Sequence, residues 1–325
     1  MTVATIPKAE LHVHLEGTAD PALIGRIARR NFMELPEGML ANEHEFDWSD
    51  FLHFLQTYDL AASVIRTPED YRDVTFEYLA GCAQEGAVYV ELIASPDHAN
   101  AVGLSDEEHF DAIAQGIDDA RDRFGIEARI VATCLRNRGV EGAEEVARRV
   151  VEHRHPYVVG FNMAGDEAGF PPEPFARAFA IAADGGLGCT VHAGEHAGPE
   201  SVRGAMDLPG ITRISHGVRA IEDPSLVEEL AERGLVLEVC PGSNVALGVY
   251  PSFEEHPLPA LHAAGVRVTL GSDDPPYFAT SIGREYDIAG ARMGFGDGEL
   301  VDMTRTALGA AFADDALKAD LLARL

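Results

Sequence analysis

Four histidines and two adjacent aspartates stand where the chain is about to turn. His12 and His14 lie two apart in Glu10-Leu11-His12-Val13-His14-Leu15, and His192 falls in Thr190-Val191-His192-Ala193-Gly194-Glu195. His216 falls in Ser215-His216-Gly217, and the aspartates in Gly271-Ser272-Asp273-Asp274-Pro275. In a strand, residues i and i+2 face the same side, so both imidazoles of the first pair can point to one spot. Three neutral imidazoles and one carboxylate suit Zn²⁺, a borderline metal that accepts N and O ligands and keeps a position open for water in catalytic sites. His12, His14, His192 and Asp273 make such a set. Water on that metal has its pKa lowered toward 7, which supplies a nucleophile at neutral pH. Any one of these side chains alone is more commonly a satisfied core or loop group. Their shared position at the ends of extended runs carries the argument.

Eight short apolar, β-branched runs must position them: 10–15, 88–95, 128–135, 158–164, 189–193, 213–217, 236–240 and 267–271. They alternate with stretches whose apolar spacing is near 3.6, at 107–124, 143–153, 174–184, 224–233 and 257–264. Asp223-Pro224 reads as an N-cap followed by Pro at N1, and Gly234 and Gly265 sit just past their helices. Eight strands alternating with helices close most simply into a (β/α)8 TIM barrel, whose strand ends converge on one mouth. A doubly wound sheet is the rival, but Leu15-Glu16-Gly17-Thr18 after the first strand is no GxGxxG turn. The interval between the first two strands exceeds a single crossover and includes the aromatic-rich piece from Phe46 to Leu55. It reads as a helical lid of about 20–85 over the mouth, within one domain spanning 1–325. Phe51 and Leu55, one helical turn apart, could close over a substrate or simply pack in the core.

Asp and Glu number 54 against 25 Lys and Arg, a formal net charge of −29 over 325 residues. Such a chain has no global field for nucleic acid phosphates or an anionic membrane, so neither is an expected partner. Cys82, Cys134, Cys189 and Cys240 form no CxxC pair, which argues against a zinc ribbon or a disulfide framework and for buried thiols. Cys240 is expected in the seventh strand and not at a metal. Met1–Lys8 lacks a signal-peptide pattern and no run of about 18 apolar residues occurs, so a cytoplasmic location is expected. Oligomeric state is not legible. Only two lysines are present, Lys8 and Lys318. Barrel hydrolases with HxH on the first strand often bridge two metals with a carboxylated Lys from a middle strand, and this chain has none there. One Zn²⁺ per chain is therefore expected.

With Pro7 to Thr18, Met163-Ala164-Gly165-Asp166-Glu167, His192-Ala193-Gly194-Glu195, Ser215-His216-Gly217 and Ser272-Asp273-Asp274-Pro275, the chain resembles the adenosine deaminase family of the amidohydrolase superfamily. The motifs keep the family's order over residues 7 to 276. The resemblance implies hydrolytic removal of the 6-amino group of an adenine ring, with release of ammonia. It implies that His12, His14, His192 and Asp273 hold zinc, that Glu195 protonates ring nitrogen N1, and that His216 orients the attacking water. It further implies that Asp274 hydrogen-bonds N7, that the Gly165 N–H meets N3, and that His14 and Glu16 face the substrate. Independently of any family, attack at C6 destroys aromaticity, and a proton delivered to N1 offsets the developing charge.

The substrate signals disagree. The family's adenosine deaminases usually carry Asp where this chain has Glu16, and Glu there is common in its adenine deaminases. Met163–Glu167 resembles the adenosine branch. The expectation is a purine nucleoside, adenosine or deoxyadenosine converted to inosine or deoxyinosine, with adenine or a modified nucleoside of the aminodeoxyfutalosine type as alternatives. An amidohydrolase for cyclic amides is disfavoured, because such a reaction needs no ring-nitrogen acid at Glu195. A barrel that only binds is disfavoured by the complete set of groups.

Overall fold

The computed structural model describes residues 6–325. The part of the Met1–Lys8 reading that falls on residues 1–5 lies outside them. Eight parallel strand positions form the barrel: β1 (Lys8–His14), β2 (Ala87–Ala94), β3 (Glu127–Leu135), β4 (Val158–Ala164), β5 (Gly188–Cys189 and His192–Ala193), β6 (Arg213–His216), β7 (Val236–Val239) and β8 (Arg267–Leu270). One sheet runs β1 to β5 in order and the other runs β5 to β8, so every neighbour in space is a neighbour in sequence. Closure comes where β8 ends. The N–H of His14 donates to the carbonyl of Asp273 at 2.9 Å, and the N–H of Asp273 to the carbonyl of His12 at 3.1 Å. The first and last strands thus meet at the residues singled out for chemistry. Strands of this barrel are buried on both faces, which is why they read as nearly continuous apolar runs; all seven residues of β1 are buried.

The eight expected strands are all present, with boundaries shifted by a residue or two. Only β5 differs in kind, being interrupted at Thr190 and Val191. There the Thr190 N–H turns to the carbonyl of Phe161 at 3.1 Å, and the Val191 carbonyl accepts from Ser215 N–H at 2.9 Å. The helix Pro224–Arg233 has the expected ends. The Asp223 side chain accepts from Ser225 N–H at 3.0 Å, and Gly234 closes the helix in the left-handed region at φ 66°.

Between β1 and β2 lie α1 (Pro21–Arg30), a small hairpin (Leu40–Asn42 with Glu45–Phe46), α2 (Phe51–Ala62) and α3 (Pro68–Gln84). After β2 come α4 (Pro96–Ala101) and α5 (Asp106–Phe124). A Cβ on Gly116 of α5 would lie 2.7 Å from the Arg72 carbonyl, so α3 and α5 pack backbone to backbone. That makes α3 an ordinary outer crossover helix, and the piece that reaches the mouth is shorter than the 20–85 expected. Below the mouth, the fully buried Arg213 lies 2.6 Å from both Glu91 and Glu238 and stacks on Phe312. Such a closed ionic cluster is costly to break at one member, by about 3–5 kcal/mol. Among the described residues no helix is long and apolar enough to cross a membrane, and all four cysteines are free and buried.

Candidate active site

The ends of β1, β5 and β8 bring the four expected donors together. His192 Nε2 lies 3.1 Å from Nε2 of both His12 and His14, and Asp273 Oδ1 lies 3.3 Å from each of those two. Tetrahedral ligands about 2.0–2.1 Å from zinc would be about 3.3 Å apart, so the set already has the dimensions of a filled site. Proton bookkeeping points the same way. His12 Nδ1 donates to the Glu238 carbonyl at 3.2 Å and His192 Nδ1 to the Met163 carbonyl at 3.1 Å. With their protons on Nδ1, the two rings when neutral would direct bare Nε2 lone pairs at each other, and a metal cation between them would remove that repulsion. These residues fit a divalent metal.

Asp273 and His216 both sit at φ 63°, a region that non-glycine residues rarely adopt. Such backbone costs of order 1–3 kcal/mol and persists where surrounding structure enforces it; here the β1–β8 closure does so for Asp273. His216 Nε2 lies 3.6 Å from Glu195 Oε1 and 3.7 Å from Asp273 Oδ2. Burial, reinforced by the charges of Asp273 and Glu167, holds the Glu195 carboxyl well above the usual carboxylate range. Burial and the neighbouring Asp273 do the same for Asp274. Asp274 Oδ1 is buried with no hydrogen-bond partner among the described residues. A Cβ on Gly17 would lie 1.8 Å from that oxygen, so glycine is required there for Asp274 to reach its place.

These groups line a cavity of about 560 Å³ together with His14, Gly165, His98 and residues of α2: Phe51, Phe54, Leu55, Tyr58 and Asp59. Phe51 and Leu55 therefore face the cavity. Gly165 has φ 109°, and a Cβ there would lie 2.3 Å from Asn137 Oδ1, whose own partner is the Asp166 N–H at 2.9 Å. Glu16 does not line the cavity. It stands behind the wall, accepting from Ser95 N–H at 3.1 Å and from the Tyr58 hydroxyl at 3.2 Å. Direct contact between Glu16 and a substrate, as expected from its position after His14, is not what this geometry offers. Cys240 is buried as expected but lies just past β7, not in it, and its Sγ is within 4.8 Å of the ligand atoms of His12 and His216.

Two side chains that sequence reasoning missed grip the loop after β5. The Glu167 carboxylate accepts from four successive N–H groups: Gly194 at 2.5 Å, Glu195 at 3.1 Å, His196 at 2.8 Å and Ala197 at 3.0 Å. It also accepts from the Ser201 hydroxyl at 2.6 Å. The buried Arg136 donates to the His192 carbonyl at 2.6 Å. One side chain thus holds the donors of the segment and the other an acceptor. Glu167 belonged to a quoted motif, but nothing local in the sequence announced its partners.

Residues 7–325 match the adenosine deaminase family. The chain is 49% identical over 322 residues to an adenine deaminase of Sinorhizobium medicae (strain WSM419), covering 99% of both. It is 50% identical over 318 residues to one of Agrobacterium fabrum (strain C58 / ATCC 33970), covering 98% of this chain and 97% of that protein. The crystal structure of an adenine deaminase from Arthrobacter aurescens superposes with a TM-score of 0.90 at 32% identity, over 98% of this chain and 97% of that one. A Burkholderia ambifaria amidohydrolase with bound Zn superposes with a TM-score of 0.89 at 26% identity, over 99% and 90%. These relatives overturn the expectation of adenosine or deoxyadenosine as the main substrate: at about half identity over nearly the whole length, they are adenine deaminases. The signal in Glu16 outweighs the one in Met163–Glu167. Barrel, donor set and relatives agree that the chain belongs to the adenosine deaminase family, as a metal-dependent hydrolytic deaminase acting on C–N bonds.

Proposed function

We propose that the protein deaminates adenine, taking adenine and water to hypoxanthine and ammonia. The observation that carries the choice of free base is the engagement of Glu16. Its carboxylate accepts from Ser95 and from Tyr58, whose ring lines the cavity, so Glu16 itself is turned away from the place where a sugar hydroxyl would lie. The names of the relatives support the same choice.

In this reading His12, His14, His192 and Asp273 hold a single Zn²⁺, which when bound supplies Lewis-acid activation of the attacking water. The single ion is supported by the lysines. Lys8 starts β1 at the far end of the barrel, donating to the carbonyls of Ile6 and Glu85, and Lys318 lies in the last helix, Asp315–Leu322. Glu195, kept protonated by its burial, gives its proton to N1 as water adds at C6, and so offsets the charge that the loss of aromaticity puts on the ring. Asp274, whose carboxyl burial keeps protonated, donates a hydrogen bond to the lone pair on N7, and the Gly165 N–H meets N3. His216 orients the water beside Glu195. The wall from α2 excludes solvent from the base. Four buried free thiols suit a cytoplasmic setting.

The test is an ultraviolet assay of the purified, zinc-loaded protein with adenine, adenosine and deoxyadenosine offered separately. Adenine is expected to be converted with a kcat/KM at least about 100-fold above adenosine, the scale of discrimination that a built pocket achieves. Turnover of adenosine at an equal or greater kcat/KM refutes the proposal.

A further inference from the structure

Which ring nitrogen of His216 carries the proton decides what this residue can do at the reaction centre. A chain of hydrogen bonds behind it answers the question from a fixed end. The backbone N–H of Leu258 can only donate, and it lies 3.2 Å from His256 Nδ1. His256 Nδ1 is therefore an acceptor. Burial pushes His256 down to about 3, so its ring is neutral and its one proton sits on Nε2. That N–H faces Asn244 Oδ1 at 3.1 Å. The amide must then turn its NH₂ the other way, toward His216 Nδ1 at 3.3 Å. An amide nitrogen only donates, so His216 Nδ1 accepts. The orientation of the amide follows from the Leu258 N–H and needs no separate assignment. Asn244 and His256 are both buried, so solvent cannot replace either link.

We propose that Asn244 and His256 are positioning residues that lock His216 in the Nε2–H tautomer, so that it meets the attacking water as a hydrogen-bond donor and not as a proton acceptor. The Nε2 atom is the one that lies between Glu195 and Asp273. To accept a proton there, His216 would need its existing proton on Nδ1, pointing at the NH₂ of Asn244. An imidazolium would meet the same opposed donors. The proposal rests on the deaminase reading for the water but not on which purine is the substrate.

The test uses the full chain, zinc-loaded and labelled with ¹⁵N-histidine. Long-range ¹H–¹⁵N spectra report which nitrogen of each ring is protonated, and His216 is identified by the signals lost in His216→Gln. The expected spectrum has a proton on Nε2 and none on Nδ1; a proton on Nδ1, or on both, overturns the proposal. Asn244→Asp keeps the shape but presents only acceptors to the two rings. It is expected to move the His216 proton to Nδ1 and to lower kcat about 100-fold, with KM and zinc content within about twofold of the parent. Parent-like kcat with the tautomer moved, or a tautomer that does not move, overturns the proposal. If that variant fails to fold, the spectrum of the parent still decides. Because the spectra need no substrate, failure of the adenine reading is distinguishable from failure here.

Discussion

Glu167→Gln separates positioning of the acid from loss of the metal. In the parent, one carboxylate oxygen takes Gly194 N–H and the Ser201 hydroxyl, and the other takes the N–H groups of Glu195, His196 and Ala197. A glutamine has the same shape but one acceptor oxygen. Its better orientation keeps the three-donor side, lets its NH₂ donate to the Ser201 oxygen, and leaves the Gly194 N–H facing an N–H. One buried donor without a partner costs about 1–3 kcal/mol. For a chain of this length that is a fall in Tm of roughly 1.5 °C per kcal/mol, so about 1.5–4.5 °C. The kinetic effect is larger, because the displaced segment carries Glu195. A misplacement of about 1 Å costs roughly 100-fold in rate. The metal-ligand set is spared, since His192 is held by Arg136 and by the Met163 carbonyl and not by Glu167. The expected outcome is kcat down about 100-fold with zinc content equal to the parent, measured by steady-state kinetics and elemental analysis. A kcat within twofold of the parent would refute the positioning argument; zinc lost in proportion to activity would assign Glu167 to the metal site instead.

Three further outcomes are expected. Glu195→Gln keeps the volume and removes the proton donor, so turnover should fall by about 10³-fold while zinc stays bound, and full activity would remove Glu195 from the acid role. Removing the metal with a chelator should lower stability by about 4 kcal/mol relative to protein in zinc at a thousandfold excess over Kd, read as a Tm shift; an unchanged Tm would contradict the lone-pair argument. Glu285, away from the site, is pushed up to about 7 from 4.5 by burial, against hydrogen bonds from Thr280 and Gly242, with Glu10 and Arg284 the nearest charges. A folded-state value above the unfolded one means a contribution fully present below about 4.5 and lost as pH rises through 7. The loss is about 3 kcal/mol, and Glu285→Gln should abolish it. Denaturant unfolding of both proteins at pH 4.5 and 8 checks this, and identical pH slopes would sink it.

The parts of the site that could be read from the sequence were those governed by strand period and strand ends. His12 and His14 share a face because they are i and i+2, and His192, His216 and Asp273 follow because a barrel gathers its strand ends at one mouth. The supports could not be read in this way. Glu167 reaches residues 27 to 30 positions ahead, and Asn244 links rings 28 residues before it and 12 after. Such pairs exist only once the chain has closed. The short helices Pro96–Ala101, Pro241–Ala246 and Pro275–Phe278 did have a signal, a proline two to five residues past a strand's end, which preorganises the first helical position. Where the Glu16 side chain goes was not legible, for a local reason. The alternation of β1 stops at His14, and Glu16 begins a 3₁₀ turn through Thr18, so it is not the next inward residue.

The same division explains why chemistry was legible and substrate was not. The clustered imidazoles and Glu195 are held from behind by neighbouring elements: His12 by the Glu238 carbonyl, His192 by the Met163 carbonyl, the Glu195 segment by Glu167. Two of these holds are main-chain atoms, which no substitution deletes. The wall that meets the rest of the substrate has no such ladder. α2 lends it several side chains, among them Tyr58, whose hydroxyl donates to the Glu16 carboxylate behind it. Glu16 reaches Tyr58 and Ser95, and it is the phenol ring of Tyr58, not the Glu16 carboxylate, that lines the cavity. A residue outside the barrel's hydrogen bonding can thus shape the pocket wall through the side chain it holds, with no contact to the metal-ligand set.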